Sequence, residues 1–401
     1  MFHPNGGSVF KEQMKFIFIF LNNKLITCDT ILPFVVDLKK HNPGLKIKFI
    51  TFNLATLDII SKNTNLINII NEYGTINVLG WLKNDYPKIL IIFFKLTHIL
   101  KIILLSLLFN CKNIHFKGLE RFPFNLIYLF NKKKTFLFES NCWGYSIDVV
   151  KTDKMFYVNR IAGEEKVLKS YNHLVAFSED WPQLKFNKKN KKVNYLISST
   201  KISENWLNIC KKQANILSLN KPEWMSEKFK NNKKIIYVVG YLGKFNTIHR
   251  DSTGESLLSD TLVLILKNTN HIILLKPHAI TDISLLSSIV NKMNTNRIFI
   301  IYNHMAVISH YCNYAIANYF SYALTDAWVN GLKTIEYTIY DEEVLSYTGG
   351  KSIQPKYIDN FINDKPEELL KELKEDYIKF KRNHSLEFSK NSRELIKIIA
   401  E

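Results

Sequence analysis

The chain has 401 residues, 46% of them hydrophobic and 22% charged, enough for two or three domains with buried cores, which excludes intrinsic disorder. A net charge of +18 points toward nucleic acid, anionic lipid or phosphorylated small molecules, unless the lysines are simply spread over the surface. The five cysteines (Cys28, Cys111, Cys142, Cys210 and Cys312) are far apart with no C-x-x-C pair, which argues against a disulfide framework or zinc site and fits a reducing cytosol.

Strand-like and helix-like segments alternate along the chain, the pattern of parallel sheets covered by helices on both faces. The apolar run Met14–Phe20 is interrupted by Lys15, and no small-residue cleavage site follows. Lys15–Phe20 therefore reads as a buried first strand. Asp29–Lys40 reads as a helix capped by Thr27 or Asp29. Lys46–Thr51 and Ile76–Leu79 read as strands. Ile89–Phe109 is long and apolar enough to span a bilayer. However, Lys95, Thr97, His98 and Lys101 fall on one helical arc of about 160°. Two lysines in lipid cost roughly 2.5–3.5 kcal/mol each near the helix centre, which disfavours a span. Two readings stay open, a core helix or a helix lying in an anionic membrane interface. Strands at Asn113–Phe116, Thr135–Phe138 and His173–Phe177 follow.

The stretch Lys185–Lys233 is polar and lysine-rich, with short helices expected near Glu204–Lys212 and Glu223–Lys230. The alternation then restarts. Lys234–Val239 is a strand, Gly240–Asp251 a loop and Glu255–Leu266 a helix. Ile272–Leu275 is a strand running into Lys276-Pro277-His278. Asp282–Met293 is a helix, Arg297–Ile301 and Cys312–Ala317 are strands, Ala323–Val329 is a helix and Thr334–Tyr337 a strand. Pro366–Ala400 is helical. The chain divides into residues 1–198, a linker at 199–232, residues 233–383, and a C-terminal helix at 384–401.

The most informative stretch is Asn318–Tyr337: a strand end, a small polar turn, then a helix start. Ser321 and the amides after it are suited to an anion, because first-turn N–H groups lack partners and the helix dipole is positive there. Gly331 sits where that helix should stop, and Glu336 lies on the next strand. In open α/β sheets, ligands bind at the carboxyl ends of strands. This stretch resembles the donor-binding half of bacterial surface-polysaccharide transferases of GT-B architecture, a group that includes polysialyltransferases and CDP-glycerol glycerophosphotransferases. Their strand, Ser-Ser or Ser-Thr, helix acid and Gly-Lys-Pro match here through Ser321, Asp326 and Gly331. Tyr322 takes the second Ser position, and Leu332-Lys333 replaces Lys-Pro. Lys276-Pro277-His278 matches a second motif of that group, in which the His contacts the donor phosphates.

The resemblance implies an α/β fold of GT-B architecture, with two Rossmann-like domains facing a cleft. Residues 1–198 would hold the acceptor and 233–383 the nucleotide donor, with the last helix packing back on the first domain. It implies a glycosyltransferase acting on a nucleotide-sugar donor and a glycan or glycolipid acceptor of capsule or lipopolysaccharide type. Such enzymes work in the cytoplasm, here with peripheral binding at the inner face of the membrane as one reading. No cofactor or metal is expected, since no Asp-x-Asp motif occurs. Donor-side candidates are Gly240, Gly243, Lys244, His249, Arg250, Lys276, His278, Ser321, Tyr322, Thr325, Asp326 and Glu336, with His278 assisting the leaving nucleotide. The acceptor needs a base, and Glu139 and Asp29 are the carboxylates at strand exits of the first half. Trp143 beside Glu139 suits sugar stacking. The alternatives are a CDP-polyol phosphotransferase of teichoic-acid type, a basic nucleic-acid-binding protein, and a non-catalytic assembly protein. No nucleic-acid-binding motif supports the second.

Overall fold

A computed structural model describes residues 15–21, 25–51, 54–78, 87–109, 111–116, 124–140, 142, 171–177, 193–243, 250, 253–278, 281–352, 355–377, 379 and 389–401. The first half runs β1 (Phe16–Leu21), α1 (Leu25–His41), β2 (Lys46–Thr51), α2 (Leu54–Lys62), α3 (Thr64–Tyr73), β3 (Thr75–Val78), α4 (Lys88–Leu108), β4 (Lys112–Phe116), α5 (Asn125–Phe130), β5 (Thr135–Phe138), β6 (His173–Ala176) and β7 (Val193–Leu196). Its seven strands form one parallel sheet in the order β3-β2-β1-β4-β5-β6-β7. β1 sits centrally because Phe-Ile-Phe-Ile-Phe-Leu is apolar on both faces, as a doubly covered parallel strand must be. Phe16–Leu21 pairs with Lys46–Thr51 on one side, and Ile17–Ile19 with Lys112–Ile114 on the other.

A 16-residue helix, α6 (Glu204–Leu219), crosses to the second half with Ser203 as its N-cap. It packs on α1 and buries Trp206. The second half continues with β8 (Lys234–Val239), α7 (Gly254–Asn268), β9 (Ile272–Pro277), α8 (Ile283–Lys292), β10 (Ile298–Ile300), α9 (Met305–Ile308), β11 (Tyr314–Ala317), α10 (Tyr322–Val329), β12 (Lys333–Thr338), α11 (Glu342–Thr348), β13 (Asn360–Asn363), α12 (Pro366–Lys374) and α13 (Lys390–Ala400). Its six strands are parallel in the order β10-β9-β8-β11-β12-β13. In both sheets the order of strand addition therefore reverses beside the first strand, between β1 and β4 and between β8 and β11, the switch points where α/β sheets bind ligands.

The two halves share one continuous apolar core, which runs from Ile19 and Phe138 through Trp206 to Val307 and Leu324. The last helix returns to the first sheet. Ser198 N donates to Ser392 Oγ at 3.2 Å and Asn42 Nδ2 to Ala400 O at 3.1 Å.

Several expected elements differ. α1 begins at Leu25, so Asp29 lies inside the helix and neither it nor Thr27 is a cap. No helix breaker stands between Leu25 and Asp29, so the helix runs one turn further upstream. The stretch after β7 is packed: Thr200, Lys201 and Ile202 are buried. Glu223–Lys230 forms two single 3-10 turns, Glu223–Met225 and Glu227–Phe229. In α4 most of the exposed residues are apolar, with Thr97 and Lys101 among them, while Lys95 and His98 are half-buried at its flank. The inner face, through Ile99, Ile102 and Ile103, packs on Phe18 and Phe20 of β1, which turns the polar arc sideways.

Candidate active site

The carboxyl ends of β8, β9, β11 and β12 carry most of the expected donor-side residues. Gly240 follows β8, and a Cβ there would stand 1.0 Å from Tyr319 Oη, so only glycine fits beneath that ring. The cavity lined by Gly240, Tyr241, Leu242, Leu258, Asn318 and Tyr319 measures about 10 Å³, room for about one water molecule. Gly243 is held likewise by Tyr241, whose hydroxyl lies 2.4 Å from where a Cβ would be. Lys244, His249 and Trp143 lie outside the described residues. Arg250 is drawn to the surface, where its guanidinium pairs with Asp364 and both groups are exposed.

β9 ends in Lys276-Pro277-His278. Lys276 Nζ donates to Asn303 O at 2.6 Å. Burial pulls its pKa down to about 8, aided by the Lys201 charge and opposed by Asp29 and Asp326. The His278 backbone N–H donates to Val239 O at 2.8 Å and to Thr281 Oγ1 at 2.9 Å, which fixes the turn. Burial and the nearby Lys276 hold the His278 ring below its ordinary value, so neutral imidazole is its resting form near pH 7.

β11 leads through Asn318 to Ser321, whose Oγ accepts from Ala323 N at 3.3 Å and caps α10. Tyr322 stacks edge-on against Phe320, with centroids 5.1 Å apart. Thr325 is buried, and its Oγ1 has no partner among the described residues. Gly331 takes φ +83° just past α10, and Leu332 N reaches back to Ala327 O at 3.1 Å, closing the helix end. Glu336, on β12, accepts from Tyr340 Oη at 2.6 Å and from Ser352 Oγ. Burial raises its pKa to about 7 against the opposing pull of those hydrogen bonds.

The two halves meet in a buried charge cluster. Lys201 Nζ donates to Asp326 Oδ1 and Oδ2, at 2.9 and 2.8 Å, and to Asp29 Oδ2. Asp29 Oδ1 also pairs with His304 Nε2. His304 Nδ1 accepts from Ala306 N at 3.2 Å, so the ring's Nε2 carries the proton that Asp29 receives. Trp206 meets the His304 ring edge-on, 5.5 Å between centroids. Burial works to raise the pKa of Asp29, but Lys201 and His304 outweigh it and hold the group well below the carboxylate range. Asp326 is pushed upward by burial and by the Asp29 charge. Lys201 stays charged, because its two carboxylates outweigh its burial.

The structure thus brings Asp29, Asp326 and Lys276 into one cluster with Lys201 and His304, which sequence reasoning did not single out. One lysine in a lysine-rich stretch gives no signal, and His304 is a one-residue cap ahead of Met-Ala-Val-Ile. Glu139 is buried after β5, and its Oε2 accepts from Phe177 N at 2.7 Å. Next to it, Ser140 O accepts from Thr30 Oγ1 at 2.9 Å, which ties this turn to α1 beside Asp29. Glu336 belongs to its own network with Tyr340 and Ser352.

No family model matches the sequence, and no curated protein matches it either. Solved structures do resemble the fold. UDP-N-acetylglucosamine 2-epimerase from Rickettsia bellii superposes with a TM-score of 0.53 at 11% identity, covering 96% of each chain. A UDP-glucosyltransferase from Polygonum tinctorium capable of glucosylating indoxyl gives 0.52 at 12% identity, covering 96% of this chain and 98% of that one. The MnaA–UDP structure from S. aureus gives 0.55 at 12% identity, covering 90% and 88%. At such identities the likeness establishes the fold alone: two Rossmann-like α/β domains in the GT-B arrangement.

Proposed function

We propose that the chain is a nucleotide-sugar-dependent glycosyltransferase that carries a sugar onto a surface glycan of capsule or lipopolysaccharide type. The observation that carries this reading is the convergence of Lys276, His278, Ser321 and Asp326 at the carboxyl ends of the second sheet, linked to Asp29 of the first half through Lys201. In this reading Lys276 and the capped α10 N-terminus hold the donor phosphates. Neutral His278 donates a hydrogen bond to the leaving phosphate oxygen, and Glu139 takes the acceptor proton, since Asp29 is committed to Lys201 and His304 and held well below the carboxylate range. Catalysis rests on positioning and on stabilising the leaving group. Five free thiols suit a reducing cytoplasm.

The test is a thermal-shift screen of CMP, CDP, UDP, GDP and ADP followed by donor turnover. A nucleotide at about 100 times its Kd stabilises by about 2.7 kcal/mol. No shift with any nucleotide, together with salt-sensitive retention of oligonucleotides, would defeat the reading. A second reading follows from the epimerase relatives of the fold, in which the donor sugar is changed without an acceptor. Conversion of UDP-N-acetylglucosamine to its 2-epimer, with no acceptor present, would favour that reading over transfer.

A further inference from the structure

The exposed side of α4 has the wrong chemistry for water. Phe93 is 60% exposed, Leu104 57%, and Ile89, Leu100, Leu107 and Leu108 are also out in solvent. At 100° per residue Ile89, Phe93, Leu100, Leu104 and Leu107 line up as one stripe, about 110° round the helix from the face that Ile99, Ile102 and Ile103 bury against β1. The helix is roughly 30 Å long. α5 packs beside it and adds exposed Leu129 and Phe130. An apolar face this long is far beyond the scattered hydrophobic residues normal on a soluble surface.

Its surroundings say what covers it. Among the described residues between 87 and 138 there is no Asp or Glu, while Lys88, Lys95, Lys101, Lys112, Lys132, Lys133 and Lys134 all fall there. More cations gather at the C-terminal end of α4. The Phe109 ring lies 5.5 Å from Phe16, whose ring has Lys46 and Lys48 over it at 6.0 and 5.6 Å. Lys132 and Lys133, directly after α5, are exposed. A protein partner would meet a rim of mixed charge, whereas an apolar stripe whose described neighbours within residues 87–138 carry cations and no acidic group matches the acyl boundary and headgroups of an anionic leaflet. By length and composition Ile89–Leu108 could cross a bilayer, but its inner face is part of the packing on the first sheet. We infer that α4 and α5 lie flat on an anionic membrane, with the Phe93–Leu107 stripe at the acyl boundary and the lysines of residues 132–134 on the headgroups. This is independent of the donor chemistry proposed above.

The experiment is flotation of the full chain with phosphatidylglycerol/phosphatidylcholine vesicles and with pure phosphatidylcholine vesicles. The expected result is flotation with the anionic vesicles at low salt, release at high salt, and little binding to neutral ones. Phe93→Ser/Leu104→Ser/Leu107→Ser should abolish flotation while melting close to the wild type, since these side chains are more than half exposed, Phe93 lying edge-on to the exposed Phe94 ring. Replacing Lys132, Lys133 and Lys134 by Gln should weaken binding on the order of a hundredfold, about fivefold per lysine. Failure of the wild type to float overturns the inference. So does flotation that survives alkaline carbonate, which would mean insertion. Equal flotation on neutral vesicles also overturns it. A dimer in solution that the serine variant abolishes, without flotation, would assign the face to a second copy instead.

Discussion

Replacing Lys201 by Met tests whether the charge cluster holds the two halves together. Lys201 is 6% exposed and its partners Asp326 and Asp29 are 8% and 19% exposed, so solvent screening offers little relief. Removing the cation leaves two buried carboxylates close together without the charge they share, Asp29 keeping its bond to His304. Breaking a buried pair from one side costs about 3–5 kcal/mol. At about 2–4 °C per kcal/mol for domains of this size, that is a melting-point loss of about 6–20 °C. The pH dependence gives a sharper signature. Without Lys201 both carboxylates gain proton affinity in the folded state, so the folded chain binds more protons than the unfolded one. The linkage slope is then negative, and stability falls as pH rises through the raised folded pKa values. The deficit of Lys201→Met should therefore be largest at pH 8 and shrink toward pH 5. Asp326→Asn in the Lys201→Met background should recover part of the loss, because it removes one of the stranded charges. Differential scanning fluorimetry at both pH values reads the wild type and both variants. If Lys201→Met melts within about 2 °C of wild type at pH 8, the cluster does not contribute at the magnitude argued.

Lys276, with its pKa near 8, should make nucleotide affinity decline as pH rises above 8, and Lys276→Met should flatten that profile; calorimetric titration from pH 6.5 to 9.5 measures it. Glu336 has its folded pKa raised to about 7 from an ordinary 4.5, so the wild type should lose stability relative to Glu336→Gln as pH rises through that window, with no further change above it. Parallel melting curves would show that Glu336 does not titrate there. Gly240→Ala forces Tyr319 off the glycine and should cost about 1–3 kcal/mol, and Tyr319→Ala in the same chain should recover much of it.

The sheet framework was legible because β1, β5, β8 and β9 are largely apolar runs, as doubly covered parallel strands tend to be, while β2, β4 and β12 mix polar residues with Ile, Phe and Tyr and were read from those residues and their place in the alternation. β7 was not assigned: Val-Asn-Tyr-Leu is four residues long, half-exposed, and preceded by lysine pairs that read as a solvated turn. β13, Asn-Phe-Ile-Asn, escaped for the same reason, since an edge strand needs only one buried residue, Ile362. Asp326 was noticed because it follows a capped helix start, a local pattern. Lys201 and His304 were not, because they are brought to it from 125 and 22 residues away, and Asp29 was named as a base but not as a member of this cluster, 297 residues from Asp326. Burial of a charge is a tertiary event that leaves no local trace in the sequence.

The magnitudes also constrain how a donor reaches the second sheet. A phosphate held by the Gly240 backbone needs the space that the Tyr319 hydroxyl fills, and the cavity there is about 10 Å³. Gly240 and Tyr319 follow neighbouring strands of the same sheet, so parting the halves leaves that ring in place and Tyr319 itself has to move. Parting the halves separates Lys201 from Asp29 or from Asp326, at about 3–5 kcal/mol, and also exposes the shared core around Trp206 and Val307. Donor binding at about 100 times Kd supplies about 2.7 kcal/mol, less than the cluster alone resists. A rotamer change of one tyrosine is the smaller cost. On the proposed reading, then, the donor enters by displacing the Tyr319 ring with the Asp29–Lys201–Asp326 cluster intact, and Tyr319→Ala should tighten nucleotide binding. If Tyr319→Ala leaves nucleotide affinity unchanged while Lys201→Met tightens it, the order is reversed and opening of the halves is the step that admits the donor.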